Sequence, residues 1–209
     1  ASATDAVRQV MERFGRVDVL VNNAGNGGEL GWWADARPEV AREQFAVHVL
    51  GAEHMARAVL PVMRAQRGGV IVNFASTVGY VPMPGAAIYS AAKAAVNAWS
   101  IALRTELAPE NIDVRVFSPP HTSTEAGERW PLALPKIFEP AWVAEAFVSF
   151  LDSNAARALP GGNGGLLLLQ RVWPSLAARI MNGLGRDAVT RRLEHGTPKR
   201  LGNSQSKSA

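Results

Sequence analysis

"VIVNFAS", residues 70–76, decides how the rest of the chain is read. β-branched and aromatic residues follow one another there without polar alternation. A strand of that composition is buried on both faces, as the strands of a parallel sheet are. It begins where "RGG" (67–69) stops a long helical stretch that opens at Pro38 and runs to about Gln66. It ends on a hydroxyl, Ser76. A further helical pattern covers 90–107, with Val96, Trp99, Leu103 and Leu107 on one face.

The same alternation extends in both directions. Upstream, "VDVLVNNAG" (17–25) is an apolar strand ending in polar residues and glycine. A helix at 4–14 precedes it, with Val7, Val10, Met11 and Phe14 at helical spacing, Thr4 as N-cap and Gly15 as terminator. Downstream, "IDVRVFS" (112–118) is a strand stopped by Pro119 and Pro120, 140–152 is helical, and "GGLLLLQ" (164–170) reads as a last strand. Apolar strands alternating with helices predict an α/β doubly wound parallel sheet, Rossmann-like, over residues 1–170. Residues 171–209 form a basic helical extension whose end, "NSQSKSA", is too polar to order. In such folds ligands gather outside the carboxyl ends of the strands. "NNAG", Ser76 and "PPHTST" (119–124) all fall on that edge.

Composition narrows the possibilities. Of 209 residues, 47% are hydrophobic and 19% charged, enough apolar material for a sizeable core. With no cysteine there is no disulfide and no thiolate metal site, and a reducing compartment, the cytoplasm, is expected. No apolar run approaches the roughly 18 residues that span a bilayer, so no transmembrane segment is expected. The net charge of +4 sits in the extension, where 8 basic residues face 2 acidic ones. Without a nucleic-acid motif, that charge reads as a solvated helix face, and no nucleic-acid partner is expected.

Tyr89 and Lys93, in "IYSAAK" (88–93), stand four apart and share a helix face. A phenol titrates near 10 and is a poor base at neutral pH, but a nearby ammonium favours its phenolate. Such a tyrosine can exchange a proton with an alcohol or carbonyl. Ser76 closes its strand thirteen residues earlier and could hold the same oxygen. Taken singly, the tyrosine could equally pack on a lysine stem, and the serine could cap a turn.

Together these segments resemble the short-chain dehydrogenases/reductases over residues 4–170. "NNAG" (22–25) is similar to the family's sheet-stabilising segment, "GGVIVNFASTVG" (68–79) to its serine strand, "YSAAK" (89–93) to its tyrosine–lysine pair, and "SPPHTST" (118–124) to its P-G-x-x-x-T segment. The resemblance implies hydride transfer between NAD or NADP and a small-molecule carbonyl/alcohol substrate. In it Ser76 would hold the carbonyl oxygen and Tyr89 would exchange the proton. Lys93 would lower the tyrosine pKa and hold the nicotinamide ribose. Pro119, Thr122 and Thr124 would contact the nicotinamide side and Asn22 the adenosine or ribose side. It also implies a homo-oligomer formed through the tyrosine helix, whose small Ala91, Ala94 and Ala95 allow close approach.

The sequence departs from that pattern in three places. The family's glycine-rich turn does not precede "NNAG", so the chain is expected to be an N-terminally truncated fragment that binds dinucleotide weakly. "VDVLVN" is then an apolar edge. "GLGRDA" (183–188) matches the glycine string but follows no strand, and it is read as a loop, like 25–31 and 161–165. His48 stands where the family has an asparagine that holds a relay water. Either a relay role or pairing with backbone fits it. Pro120 replaces a glycine and loses an N–H. His121 is expected to be exposed. Trp32 and Trp33 could wall a bulky substrate or pack under their loop. Residues 125–139, with Trp130, Leu132, Leu134 and Phe138, suggest a lid for an apolar substrate. The helical part of the extension is expected to pack on protein. A non-catalytic interaction protein derived from such a dehydrogenase is the alternative function.

Overall fold

The computed structural model describes residues 2–195. Helix α1 (Ala3–Phe14) starts at a capping box, in which Ser2 Oγ accepts from Asp5 N–H and the Asp5 carboxylate accepts from Ser2 N–H. The cap is therefore Ser2, and Thr4 lies inside the first turn. Gly15 ends the helix in the left-handed region, as its missing Cβ allows.

Four parallel strands form one sheet in the order β1 (Val19–Asn22), β2 (Gly69–Phe74), β3 (Ile112–Phe117), β4 (Arg157–Ala158). Helices make every crossover. Helix α2 (Glu39–Phe45) and α3 (Gly51–Gln66) are joined by a π turn at Ala46–Leu50, so the 38–66 stretch is one helical run with a widened turn in its middle. Helix α4 (Ala87–Leu107) links β2 to β3, and α5 (Glu125–Glu128) with α6 (Pro140–Leu151) leads from β3 to β4.

Helices α1, α3 and α4 cover one face, burying Val7, Val59, Met63, Ile71, Ile112 and Val114. Helix α6 lays Phe147 and Phe150 over Val72 and Phe117 on the other. It does not reach β1, whose Val19 and Val21 remain 41% and 40% exposed. Arg115 of β3 is buried and donates to the Leu151 and Ser153 carbonyls at 3.1 and 2.6 Å, so a guanidinium caps the C-terminal end of α6. A polar thread crosses the core. Asn22 Nδ2 donates to Asn73 Oδ1 (2.8 Å), Asn73 Nδ2 to Ser100 Oγ (2.9 Å), and Ser100 Oγ to Val96 O (2.6 Å).

The C-terminal part differs from expectation. Residues 164–170 are not a strand. They lie in helix α7 (Asn163–Val172), and the last strand is the two-residue β4. Four leucines and a glutamine are good helix formers and contain no β-branched residue, so local preference favours the helix. "GLGRDA" is likewise not a loop but part of helix α8 (Pro174–His195). Helix α8 packs on the domain through Ala177, Met181, Ala188 and Val189, against Leu30, Val81 and Met83. The polar end 203–209 lies outside the described residues. Among those described, no helix is long and apolar enough to cross a membrane.

Candidate active site

A cleft of about 630 Å³ opens at the carboxyl ends of β1, β2 and β3. Ser76, Tyr89, Lys93, His48, Pro119, Thr122 and Thr124 all line it.

Local structure brings the serine to the tyrosine. Ser76 leaves β2 extended and leads into a 3₁₀ turn at Thr77–Gly79. Gly79 rests directly on α4, where a Cβ would come within 2.7 Å of the Lys93 carbonyl carbon. That contact holds the serine turn against the helix. Tyr89 lies in the first turn of α4, on the same cleft as Ser76. Burial pushes the Tyr89 phenol up to about 12, against a smaller downward pull from the Ser76 hydroxyl. At neutral pH it is therefore protonated and able to donate.

Lys93 is 5% exposed, donates to Phe74 O at 2.8 Å, and has its Nζ 5.7 Å from the Tyr89 ring centroid. Burial pushes it down to about 8. The expected lowering of the tyrosine by this ammonium is not found: burial raises the phenol, and Ser76 is the one group that pulls it down.

His48 occupies the π turn, an inserted residue of the kind often found at functional sites. Its Nε2 lies 2.9 Å from Asn26 O, and a carbonyl only accepts, so Nε2 carries the proton. The ring meets Tyr89 edge-on at 5.4 Å. Burial, and then the charge of Lys93, push it down to about 4, so it is neutral near pH 7. Its Nδ1 is buried without a partner, facing Gly25, where any Cβ would strike the ring. Pairing with backbone is thus observed, and an acceptor atom is left over.

Asn22 is not on the cleft. Its amide is committed to Asn73 Oδ1 and to Ala52 O (3.3 Å), tying β1 to β2 and α3, and Asn23 lines the cleft in its place. Strand alternation explains the exchange, since neighbouring residues point to opposite sides. Past β3, Thr122 Oγ1 donates to Pro120 O (2.8 Å), and Thr124 Oγ1 accepts from Gly127 N–H (3.1 Å) as the N-cap of α5. His121 is half-buried in the cleft wall instead of exposed, and burial lowers its pKa. Trp32 and Trp33 do not wall the site, and Trp33 is 71% exposed. The aromatic wall is Trp130, from the 125–139 segment, buried and edge-on to Tyr89 at 5.1 Å.

Two residues escaped the sequence reading. Gln44 Nε2 donates to Asn26 Oδ1 at 2.5 Å, and Asn26 Oδ1 also accepts from Gly28 N–H. Together with His48, Gln44 fixes the loop after β1. A glutamine four residues before a histidine on one helix face was the available signal.

The family model of the short chain dehydrogenases matches residues 1–133. The chain belongs to the short-chain dehydrogenase family. It is 33% identical over 171 residues to a 3α-hydroxysteroid dehydrogenase of Mediterraneibacter gnavus, covering 77% of this chain and 68% of the relative. It spans 50% and 44% of the next two curated relatives. Among solved structures, a short-chain dehydrogenase from Burkholderia cenocepacia in complex with NADP superposes with a TM-score of 0.75 at 26% identity, covering 86% of this chain and 75% of that one. A 3-ketoacyl-(acyl-carrier-protein) reductase from Brucella melitensis, complexed with NADH, gives 0.68 at 32% identity, with coverages of 75% and 70%. The donor set of the cleft suits a nicotinamide ribose: Phe74 O takes one of three Lys93 donors and leaves two for a diol.

Proposed function

We propose that this member of the family transfers hydride between NAD or NADP and an alcohol/carbonyl pair at Ser76, Tyr89 and Lys93. The observation that carries the reading is that Ser76, Tyr89 and the buried Lys93 ammonium line one cleft at the carboxyl ends of the strands. The dinucleotide, when bound, supplies or accepts the hydride at its nicotinamide. Lys93 would hold the ribose hydroxyls, and the loop 119–124 would hold the nicotinamide side.

In reduction, Ser76 Oγ donates a hydrogen bond to the carbonyl oxygen. As the carbon takes the hydride, Tyr89 Oη gives its proton to that oxygen, and an alcohol results. Once Tyr89 has lost its proton, the Lys93 charge beside the ring opposes the burial cost of the phenolate. His48 stays neutral at working pH and keeps Nδ1 as an unpartnered acceptor beside the site. We place this chemistry in the cytoplasm and assign it to an oligomer formed through α4, where Ala91 and Ile101 are exposed.

The test is dinucleotide-dependent turnover of a ketone panel, followed at the reduced-nicotinamide absorbance. Tyr89→Phe removes the proton donor, and turnover falls by roughly 10²–10⁴-fold. Ser76→Ala removes one oxyanion donor and costs on the order of 10²–10³-fold. Undiminished turnover in both variants rejects the assignment.

A further inference from the structure

We propose that the α7–α8 hairpin is the substrate-selecting wall of this site. The substrate class it selects is bulky, uncharged, hydrocarbon-rich secondary alcohols and their ketones. The proposal rests on the oxidoreductase reading above.

The cleft beside Tyr89 is closed by Val78 and Met83 from the segment after β2, by Trp130, and by Leu166, Met181 and Leu184. The last three come from α7 and α8 and belong to one apolar cluster with Tyr89 itself. Among the described lining residues, Lys93 is the one Lys, Arg, Asp or Glu, and it is bonded to Phe74 O. Against Val78, Met83, Leu166, Met181 and Leu184 a polyol's hydroxyls find no side-chain partner, at a cost of about 1–3 kcal/mol each. A hydrocarbon of the same size gains about 0.8 kcal/mol per buried methylene. The two effects act in the same direction, so the wall discriminates strongly. Two methionines, Met83 and Met181, let it follow an irregular alicyclic outline.

The wall is also fixed in place. Helix α8 lies on the 83–85 turn so closely that a Cβ on Gly185 would strike Pro84 O, and one on Gly85 would strike Val189. Gly31 N–H donates to Gly85 O at 2.9 Å, and Arg192 donates to Leu30 O. These contacts tie the loop after β1, the 83–85 turn and α8 together. Met181 and Leu184 lie within one helical turn of Gly185, so they are held at the cleft and do not swing away from it.

Calorimetric titration of the protein with 2-decalol and with xylitol, without added dinucleotide, tests the wall apart from the chemistry. Binding of 2-decalol at least ~10-fold tighter than xylitol is expected. Met181→Gln and Leu166→Gln each weaken 2-decalol by ~10-fold or more, while Leu168→Gln, on the exposed outer side of α7, leaves it unchanged. Circular dichroism identifies a variant that fails to fold, and the other inner-face variant then decides. Equal or tighter xylitol binding, no binding of 2-decalol, or indifference to the folded inner-face variants overturns the proposal. If 2-decalol binds as expected but no ketone is turned over with either dinucleotide, the wall stands and the oxidoreductase reading fails.

Discussion

Lys93 is a buried ammonium with one carbonyl partner, and its placement opposes stability. Its folded pKa of about 8 lies below the ordinary lysine value, so between those two pH values the unfolded chain holds more protons. Stability therefore rises from pH 8 to about 10.5 on this account, and below pH 8 the full penalty, on the order of 3 kcal/mol, remains. Lys93→Met is expected to raise the melting temperature at pH 7 while abolishing turnover, and thermal denaturation beside an activity assay checks both. His48 works the same way at lower pH. Its folded pKa of about 4 lies below its ordinary 6.5, so stability falls as pH drops through that window. His48→Asn should flatten the fall, read by urea denaturation at pH 5 and 7, and should keep or improve turnover. Ser76, Tyr89 and Lys93 were legible in the sequence because spacing along one strand end and one helix carries their juxtaposition. The loop partner of His48 was not legible, since it depends on a π turn that no residue pattern announces.

At the scale of elements, the strands and long helices were legible where apolar periodicity was strong, as at 70–76 and 90–107. The stretch 164–170 was not. Four leucines in a row satisfy either period, and their helix preference together with the packing of Leu166 and Leu169 on Met181 and its neighbours fixes the helix. Of the apolar residues singled out in 125–139, Trp130, Leu132 and Leu134 line the cleft and Phe138 does not, and the tryptophan pair at 32–33 stays outside it. The serine turn offers a sharp test of element docking. In Gly79→Ala the new Cβ meets Lys93 backbone, which cannot swing aside as a side chain can. We expect a loss of about 1–3 kcal/mol by denaturant titration, as overpacked sites show. The loss of turnover should exceed what the unfolded fraction explains, because Ser76 moves with the turn.

Across the whole molecule, the sheet has one face fully covered and the other covered over β2 and β3 but not over β1. Parity along β1 makes this testable. Val19 points to the uncovered side and Leu20, 9% exposed, to the α1–α3 layer. Val19→Lys should fold and lower concentration-dependent association in light scattering, whereas Leu20→Lys should fail to fold. The contact of Gly79 with α4 has a further consequence, for time. It binds the proton-donating pair into one stiff piece, while Trp130 belongs to the separate 125–139 segment, and on the proposal above we expect that segment to shift as a bulky product leaves. The proton step should then be insensitive to the friction of the medium, and release should not be. Raising solvent viscosity with sucrose is expected to slow steady-state turnover and leave the single-turnover rate unchanged.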